Sequence, residues 1–431
     1  MKRKAMQYFL GWKTSEDRKP LVLKGARQVG KTWLMKEFGR SYYEETFYFN
    51  FDEESELKSI FEINKDPHRI VELLGLLRGK KILPGKHLIL LDEVQECPEA
   101  LNSLKYFCEN AGEYHVISAG SLLGTLLAKP KSYPVGKVNL LSIDPMTFDE
   151  FLDATDEGLY RYYETVTSGQ RVEEIFHRKL LEAYNYYLII GGMPECVSSW
   201  IQMKDPAKIE TLQREIITLY EHDFSKHNGK VNSGRILMVF RSIVSQLARN
   251  SGKFMYGVVK EGARAREFEE AIEWLVSAGM ILRVYNVAKP EYPLTAYEQL
   301  SHFKLYLFDV GLLKQMAGVT NESILIKPDF PFMGSLTENY VLQQIHSLYP
   351  VTPKYYAPTS THEIDFVVQD ATDIVPIEVK AGGNVASISF KEYVKKYHPD
   401  KAIRFSKLGI QRNDGFVNLP LYFAGRMREL M

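Results

Sequence analysis

Short apolar runs separated by mixed, helix-like stretches set the pattern of the first third of the chain. Leu21-Val22-Leu23, Leu88-Ile89-Leu90-Leu91 and the segment Tyr114-His115-Val116-Ile117-Ser118 are bounded by polar or turn-forming residues. Runs of this kind fit strands buried on both faces. Lys31–Arg40 reads as a helix between two of them. The alternation continues to about Phe151 and predicts a parallel α/β sheet. From Val172 to His222 the period changes: Phe176, Leu180, Leu181 and Tyr184 recur at helical spacing. Gly191-Gly192-Met193-Pro194 interrupts that stretch. No Lys-Ser/Thr follows the glycines, so they predict a tight interhelical turn and not a second phosphate loop. Tyr160-Arg161-Tyr162-Tyr163 reads as a packing and hydrogen-bonding surface.

Composition adds limits more than identity. The 431 residues are 45% hydrophobic and 25% charged, enough for two or three cores. Lys+Arg and Asp+Glu both number 54, so attraction to a nucleic acid must come from local patches. Cys97, Cys108 and Cys196 have neither CxxC spacing nor a disulfide framework. They fit a reducing compartment and indicate no structural zinc. The basic start, Met1-Lys2-Arg3-Lys4, precedes an apolar stretch soon broken by Lys13, Glu16 and Asp17, which makes a poor signal peptide. No apolar run approaches the ~20 residues a bilayer span needs, so the expectation is a cytoplasmic protein without membrane insertion.

The candidate chemistry begins directly after the first apolar run. Gly25-Ala26-Arg27-Gln28-Val29-Gly30-Lys31-Thr32 satisfies G-x-x-x-x-G-K-[ST], between a strand and a helix. Small residues let backbone N–H groups curl around phosphates, Lys31 reaches the outer phosphate oxygens, and the Thr32 hydroxyl ligates Mg²⁺. The helix N-terminus adds unpaired amides and a favourable dipole. The second apolar run ends in Asp92-Glu93, as a Walker B strand does. Asp92 is expected in the Mg²⁺ shell and Glu93 at the attacking water. Ser121, with Ser118 in reserve, is the expected sensor of the terminal phosphate, although a Gly-Ser turn is equally natural there. ATP and Mg²⁺ are the cofactors these residues imply.

These motifs, with Leu91-Asp92-Glu93-Val94-Gln95, Pro145-Met146-Thr147-Phe148-Asp149-Glu150-Phe151-Leu152 and Gly191-Gly192-Met193-Pro194-Glu195, resemble the prokaryotic AAA-type ATPases that carry a DUF4143 C-terminal region. The resemblance implies a P-loop NTPase of AAA+-like α/β architecture, a helical and winged-helix middle and a restriction-endonuclease-like α/β end. The corresponding segments are 1–155, 156–225, 226–300 and 301–431. The family often has Gly-Arg where this chain has Gly136-Lys137. Lys137 lacks the planar fork that suits Arg to phosphate oxygens, and Arg27 is a second candidate cation. A homo-oligomer or a protein partner is compatible with the resemblance.

Lys226 to Arg266 holds nine Lys/Arg and one acid, Glu261. The helix-like Glu267–Ala278 and the strand-like Met280–Tyr285 follow, an order compatible with a winged helix that meets DNA through 226–266. Further on stand Glu338, Asp365, Glu378 and Lys380. Glu338 shares a helical face with Leu342 and Ile345, and strand alternation puts Glu378 and Lys380 on one face. The set resembles the PD-(D/E)xK nuclease core, in which carboxylates hold Mg²⁺ and the lysine assists the nucleophile or phosphate. A relic that binds DNA or protein without cutting, and ordinary paired surface charges, are the alternative readings. The sequence-level expectation is an ATP-hydrolysing switch, with a metal-dependent DNA nuclease or an ATP-gated DNA- or protein-binding adaptor as alternatives.

Overall fold

The computed structural model describes residues 1–121, 123, 136–227, 229–249, 253–327, 329–359, 361–383 and 385–431, with the side chains of 225–231 outside the description. Two compact units emerge. One is Lys2–Asp144 with Ser277–Met280; the other is Met1, Pro145–Val276 and Ile281–Met431.

The first unit is built on a five-stranded sheet of β1 (Leu21–Lys24), β2 (Glu45–Asn50), β3 (His87–Asp92), β4 (His115–Ala119) and β5 (Asn139–Ser142). The spatial order is β2-β3-β4-β1-β5 and every pairing is parallel. All residues of β3 and β4 are buried, whereas the edge strand β5 alternates between partly buried and exposed positions. That contrast explains why the central strands read as continuous apolar runs. Phe47, Phe49, Ile89, Leu91 and Val116 pack with Leu101, Leu104 and Phe107 in one core. Each such side chain contributes about 1.5–3 kcal/mol by leaving water, so Leu91→Asp would break the layer. Parallel strands here point their carboxyl ends the same way, which is where open α/β sheets bind ligands.

In the second unit, helices Glu174–Ile190, Pro194–Met203 and Pro206–His227 precede an eight-stranded mixed sheet. Its strands are β6 (Ile281–Val287), β7 (Glu298–Leu307), β8 (Lys354–Tyr356), β9 (Ile364–Asp370), β10 (Asp373–Val379), β11 (Ile403–Ser406), β12 (Gln411–Asn413) and β13 (Phe416–Pro420). They lie in the order β12-β13-β11-β10-β9-β8-β6-β7. Helix Met333–Ile345 supplies polar groups to the buried backbone around it. Asn339 accepts from Leu307 N at 2.8 Å and donates to Leu307 O at 2.9 Å, and Gln343 accepts from Val310 N at 2.9 Å. These bonds satisfy backbone groups that burial would otherwise leave unpaired.

Two expectations change. The first boundary falls at Asp144/Pro145 and not near 155, because the Pro145–Leu152 motif belongs to the second unit. Phe148 N donates to Gln344 Oε1 at 2.7 Å, and Thr147 and Glu150 form a capping box on helix Phe148–Thr155. The divisions at 225 and 300 also disappear, since β6 and β7 extend the C-terminal sheet. β6 pairs with β8 at Asn286 and Tyr355, and Ala357 N donates to Asn286 Oδ1 at 2.9 Å. The strand expected within a winged helix is thus joined to a larger sheet, which removes one exposed sheet edge.

The glycine turn behaves as expected. Gly191 has φ +75°, and a Cβ there would stand 2.3 Å from Asp309 Oδ1. Asp309 is fully buried and accepts from Gly192 N at 2.6 Å, Leu312 N at 3.0 Å and Gln343 Nε2 at 3.2 Å. Burial raises its carboxyl above the ordinary range against the pull of those donors.

Candidate functional site

The loop after β1 has the curled backbone that its glycines predict. Gly25, Gln28 and Gly30 have φ of +143°, +64° and +93°. A Cβ on Gly25 would come within 2.1 Å of Ile143 O, so glycine is required by space as well as by conformation. Gly30 is the left-handed N-cap of helix Lys31–Tyr42. Arg3 is buried and donates to Val29 O at 3.1 Å, fixing the loop from its own side chain outward.

Lys31 is only 7% exposed and donates through Nζ to Gly25 O at 2.9 Å and Ala26 O at 2.7 Å. Burial lowers its ammonium to about 8, partly offset by Glu93 and Asp92, while Arg27 adds to the lowering. Thr32 Oγ1 donates to Asp92 Oδ2 at 2.7 Å, which joins the loop to the end of β3. Glu93 follows in a left-handed conformation, φ +52°, and its carboxylate accepts from Gln95 Nε2 and, at 3.5 Å, from Ser121 Oγ. Ser118 instead donates to Leu21 O at 3.5 Å within the sheet, so Ser121 is the serine at this carboxylate. Lys137 pairs with Glu109 at 3.0 Å on the surface.

Two neighbours escape a reading of the sequence. Tyr48 OH donates to Asp92 Oδ2 at 3.0 Å, and nothing in the order of residues shows that β2 lies beside β3. Gln95 was visible in Asp92-Glu93-Val94-Gln95, but its partner was not. A Cβ on Gly120 would stand 2.2 Å from Gln95 Oε1, so the glycine after β4 makes room for that amide.

The residues fit a bound triphosphate and its divalent ion. The loop turns its amides through positive-φ positions, and Lys31 reaches into it. Thr32 and Asp92 already converge on one point.

The second constellation gathers around helix Met333–Ile345 and β9 and β10. Asp365 Oδ2 accepts from Val379 N at 2.7 Å, and Lys380 Nζ lies 2.6 Å from Glu378 Oε1. Tyr306 OH donates to Glu338 Oε2 at 3.1 Å. Burial pushes the Asp365 carboxyl well up, and Glu378, Glu338 and Glu363 push it further. Glu338 is raised by burial and restrained by Lys304. The four expected residues therefore share one electrostatic neighbourhood. Lys304, paired with Glu363, completes it. Glu363 stands two residues before Asp365, immediately ahead of β9, so the same spacing could have pointed to it. Lys304 needed the pairing of β7 into the sheet. Glu378 Oε2 is buried and unpartnered, although among the described residues no group of three or more His, Cys, Asp or Glu is placed to hold a metal ion.

The basic segment has a different outcome. The side chains of 226 and 230 and the stretch 250–252 lie outside the described residues. Arg241 pairs with Glu221 at 2.7 Å, and helix Ala265–Ser277 carries Glu267, Glu269, Glu270 and Glu273. Arg283 is buried against Glu269 and Glu273. A helix so rich in glutamate repels phosphates, so its expected place in a DNA groove is not supported.

Residues 17–152 match the AAA domain family. Residues 181–323 match a domain of unknown function, DUF8612, and residues 333–422 match another, DUF4143. The AAA and DUF4143 matches agree with the sequence resemblance; DUF8612 was not anticipated. Among solved structures the chain is similar to the Walker-type ATPase of Pyrococcus abyssi, with 14% identity, 73% of this chain and 95% of that chain covered and a TM-score of 0.45. The RuvB Holliday junction branch migration motor of Thermotoga maritima is similar over 66% of this chain and 90% of that one, at 14% identity and a TM-score of 0.30. The ORC1 protein of Aeropyrum pernix, solved in complex with DNA, is similar over 74% and 91%, at 14% identity and a TM-score of 0.26. No curated protein matches the sequence. Among the described residues no helix is long and apolar enough to cross a membrane.

Proposed function

We propose that the first unit binds and hydrolyses ATP with Mg²⁺, and that the chain acts as an ATP-gated switch. The observation that carries this reading is the 2.7 Å bond from Thr32 to Asp92, which unites the phosphate loop with the acidic end of β3 beside Glu93. Lys31 and the loop amides bind the phosphates; Thr32 and Asp92 hold the Mg²⁺ shell. The ion neutralises phosphate charge when bound. Glu93, released from Gln95 and Ser121, orients the attacking water and takes its proton. Purified protein should hydrolyse ATP only with Mg²⁺. Lys31→Ala should lose nucleotide binding, whereas Glu93→Gln should bind nucleotide and fail to turn it over. Wild-type rates in Glu93→Gln, or equal loss of binding in both variants, would end this assignment of roles.

A second reading concerns Glu338, Asp365, Glu378 and Lys380. Helix Met333–Ile345, then β8, β9 and β10, then helix Ile388–Tyr397 and the parallel strand β11 give an order like that of PD-(D/E)xK nucleases. The orphaned Glu378 Oε2 supports a cation there. This reading predicts metal-dependent DNA cleavage that Asp365→Asn abolishes and Lys31→Ala leaves intact. Cleavage that survives Asp365→Asn refutes it.

A further inference from the structure

Beside the acidic cluster lies a cavity that no step proposed so far uses. It has a volume of about 140 Å³ and is lined by Tyr356, Tyr393 and Tyr397, with His362, Glu363 and Lys396 at its edge. A cavity of about 150 Å³ accommodates one benzene ring, so this one has the size of a single planar six-membered ring. Tyr356 and Tyr393 are buried in the surrounding core, and Tyr397 is half-buried. Tyr393 and Tyr397 have ring centroids 4.7 Å apart at 41°, and Tyr356 stands edge-on to both, at 73° and 86°. The Tyr356 and Tyr397 hydroxyls bond each other at 2.8 Å, which leaves donor and acceptor capacity at an otherwise apolar wall.

The charges around the cavity point to what is attached to the ring. Of its two acids Glu363 pairs with Lys304, and Glu392, which is exposed, lies 2.9 Å from His362 Nε2. Lys396 is exposed at the opening and lies over the Tyr397 ring, 4.9 Å from its centroid. Glu363 also lines a neighbouring cavity of about 310 Å³, to which Arg249, Lys253 and Lys304 contribute. Glu338 and Glu363 line that cavity too, so its charge is mixed, and Arg249 and Lys253 are its cations outside the acidic cluster.

We propose that the tyrosine pocket takes a nucleobase of a single-stranded nucleic acid, with the adjoining phosphates directed toward Lys396 on one side and toward Arg249 and Lys253 on the other. Aromatic walls flanked by basic groups are how proteins hold unpaired strands, because every base has a stackable face whereas a duplex hides it. The proposal extends the second reading above by naming its substrate form. It is read by binding alone, so strand binding without cleavage refutes that reading and leaves this one standing.

The test is fluorescence anisotropy of the full chain with a labelled oligothymidine, the matching oligouridine and a blunt duplex, followed by photocrosslinking of an iodouracil-substituted strand. Single strands should bind more tightly than duplex, and whichever of the two sugars binds better names the natural strand. Tyr397→Ala should weaken binding about tenfold, the effect of losing one stacking partner, while Tyr397→Phe should stay within about twofold. Lys396→Glu, at an exposed position, should weaken binding and flatten its salt dependence. The crosslink should map to Tyr356, Tyr393 or Tyr397. Preference for duplex, no single-strand binding, unchanged affinity in both Tyr397→Ala and Lys396→Glu, or a crosslink on the first unit would overturn the proposal.

Discussion

Lys31 in the first unit is buried and Lys304 in the second is partly buried, yet their surroundings act on them in opposite directions. Lys31 is lowered to about 8 because burial outweighs the carboxylates of Glu93 and Asp92. Lys304 also suffers burial, but Glu338, Glu363 and Asp365 outweigh it and raise the ammonium above the usual lysine range. The difference lies in who supplies the negative charge. At Lys304 the chain supplies it, and the charge set closes on itself. At Lys31 the bonds are to the neutral carbonyls of Gly25 and Ala26, which leaves room for the external anion of the proposed ATP site. A buried cation that its own protein leaves undercompensated marks a place for a ligand, and one that is overcompensated marks a counter-ion.

The comparison breaks most readily at Lys304. Lys304→Met should destabilise the second unit by about 3–5 kcal/mol, because three carboxylates lose their buried partner. Urea or thermal unfolding reads this, and a loss under about 1 kcal/mol would show that the cluster neutralises itself by protonation. Lys31→Met should do the reverse to stability. Removing a charge that burial disfavours should stabilise the first unit by about 1–3 kcal/mol while nucleotide affinity falls roughly 100-fold in calorimetric titration. Lower stability together with lost affinity would make Lys31 a packing residue.

The same contrast explains what the sequence disclosed. The proposed nucleotide site is legible because Gly25 to Thr32 is contiguous and Asp92-Glu93 ends an apolar run, so each signal lies within a few residues. Its remaining parts, Tyr48 and the Gln95–Gly120 fit, depend on which strands are neighbours. The acidic cluster was legible only where a local period carries the information, the helical face for Glu338 and strand alternation for Glu378 and Lys380. Lys304 and Tyr306 arrive from β7, beyond any local pattern. The winged-helix expectation has its order of helices and strands in the structure, but order does not reveal that β6 continues into a larger sheet.

A smaller effect separates the two glycine-rich turns. Gly25 and Gly191 both have positive φ and both lack room for a Cβ, but one turn faces the nucleotide site and the other packs on Asp309. Gly191→Ala should destabilise the second unit by about 2 kcal/mol through strain and the displaced Asp309 carboxylate, without changing nucleotide affinity. Gly234, in a helix with nothing within 4 Å of an added Cβ, is the control, and Gly234→Ala should be neutral or stabilising by about 1 kcal/mol. If Gly191→Ala weakens nucleotide binding, the turn belongs to the ligand site as well.

The finest distinction is one of pH. In the free protein Lys31 loses its proton at about 8, whereas a bound phosphate favours the charged form and raises that value. Below pH 8 both free and bound protein carry the proton, and affinity is insensitive to this group. Above it the free protein must take up a proton to bind, so affinity falls by up to about tenfold per pH unit. Free-protein stability moves the other way in that interval. The unfolded chain keeps its Lys31 proton to about 10.5 and the folded chain does not, so this group's contribution to stability rises as pH increases from about 8. Lys31→Arg stays charged throughout and should abolish the slope, whatever its absolute affinity. Nucleotide affinity that declines identically in wild type and Lys31→Arg would assign the pH dependence to another group and remove the electrostatic distinction between the two lysines.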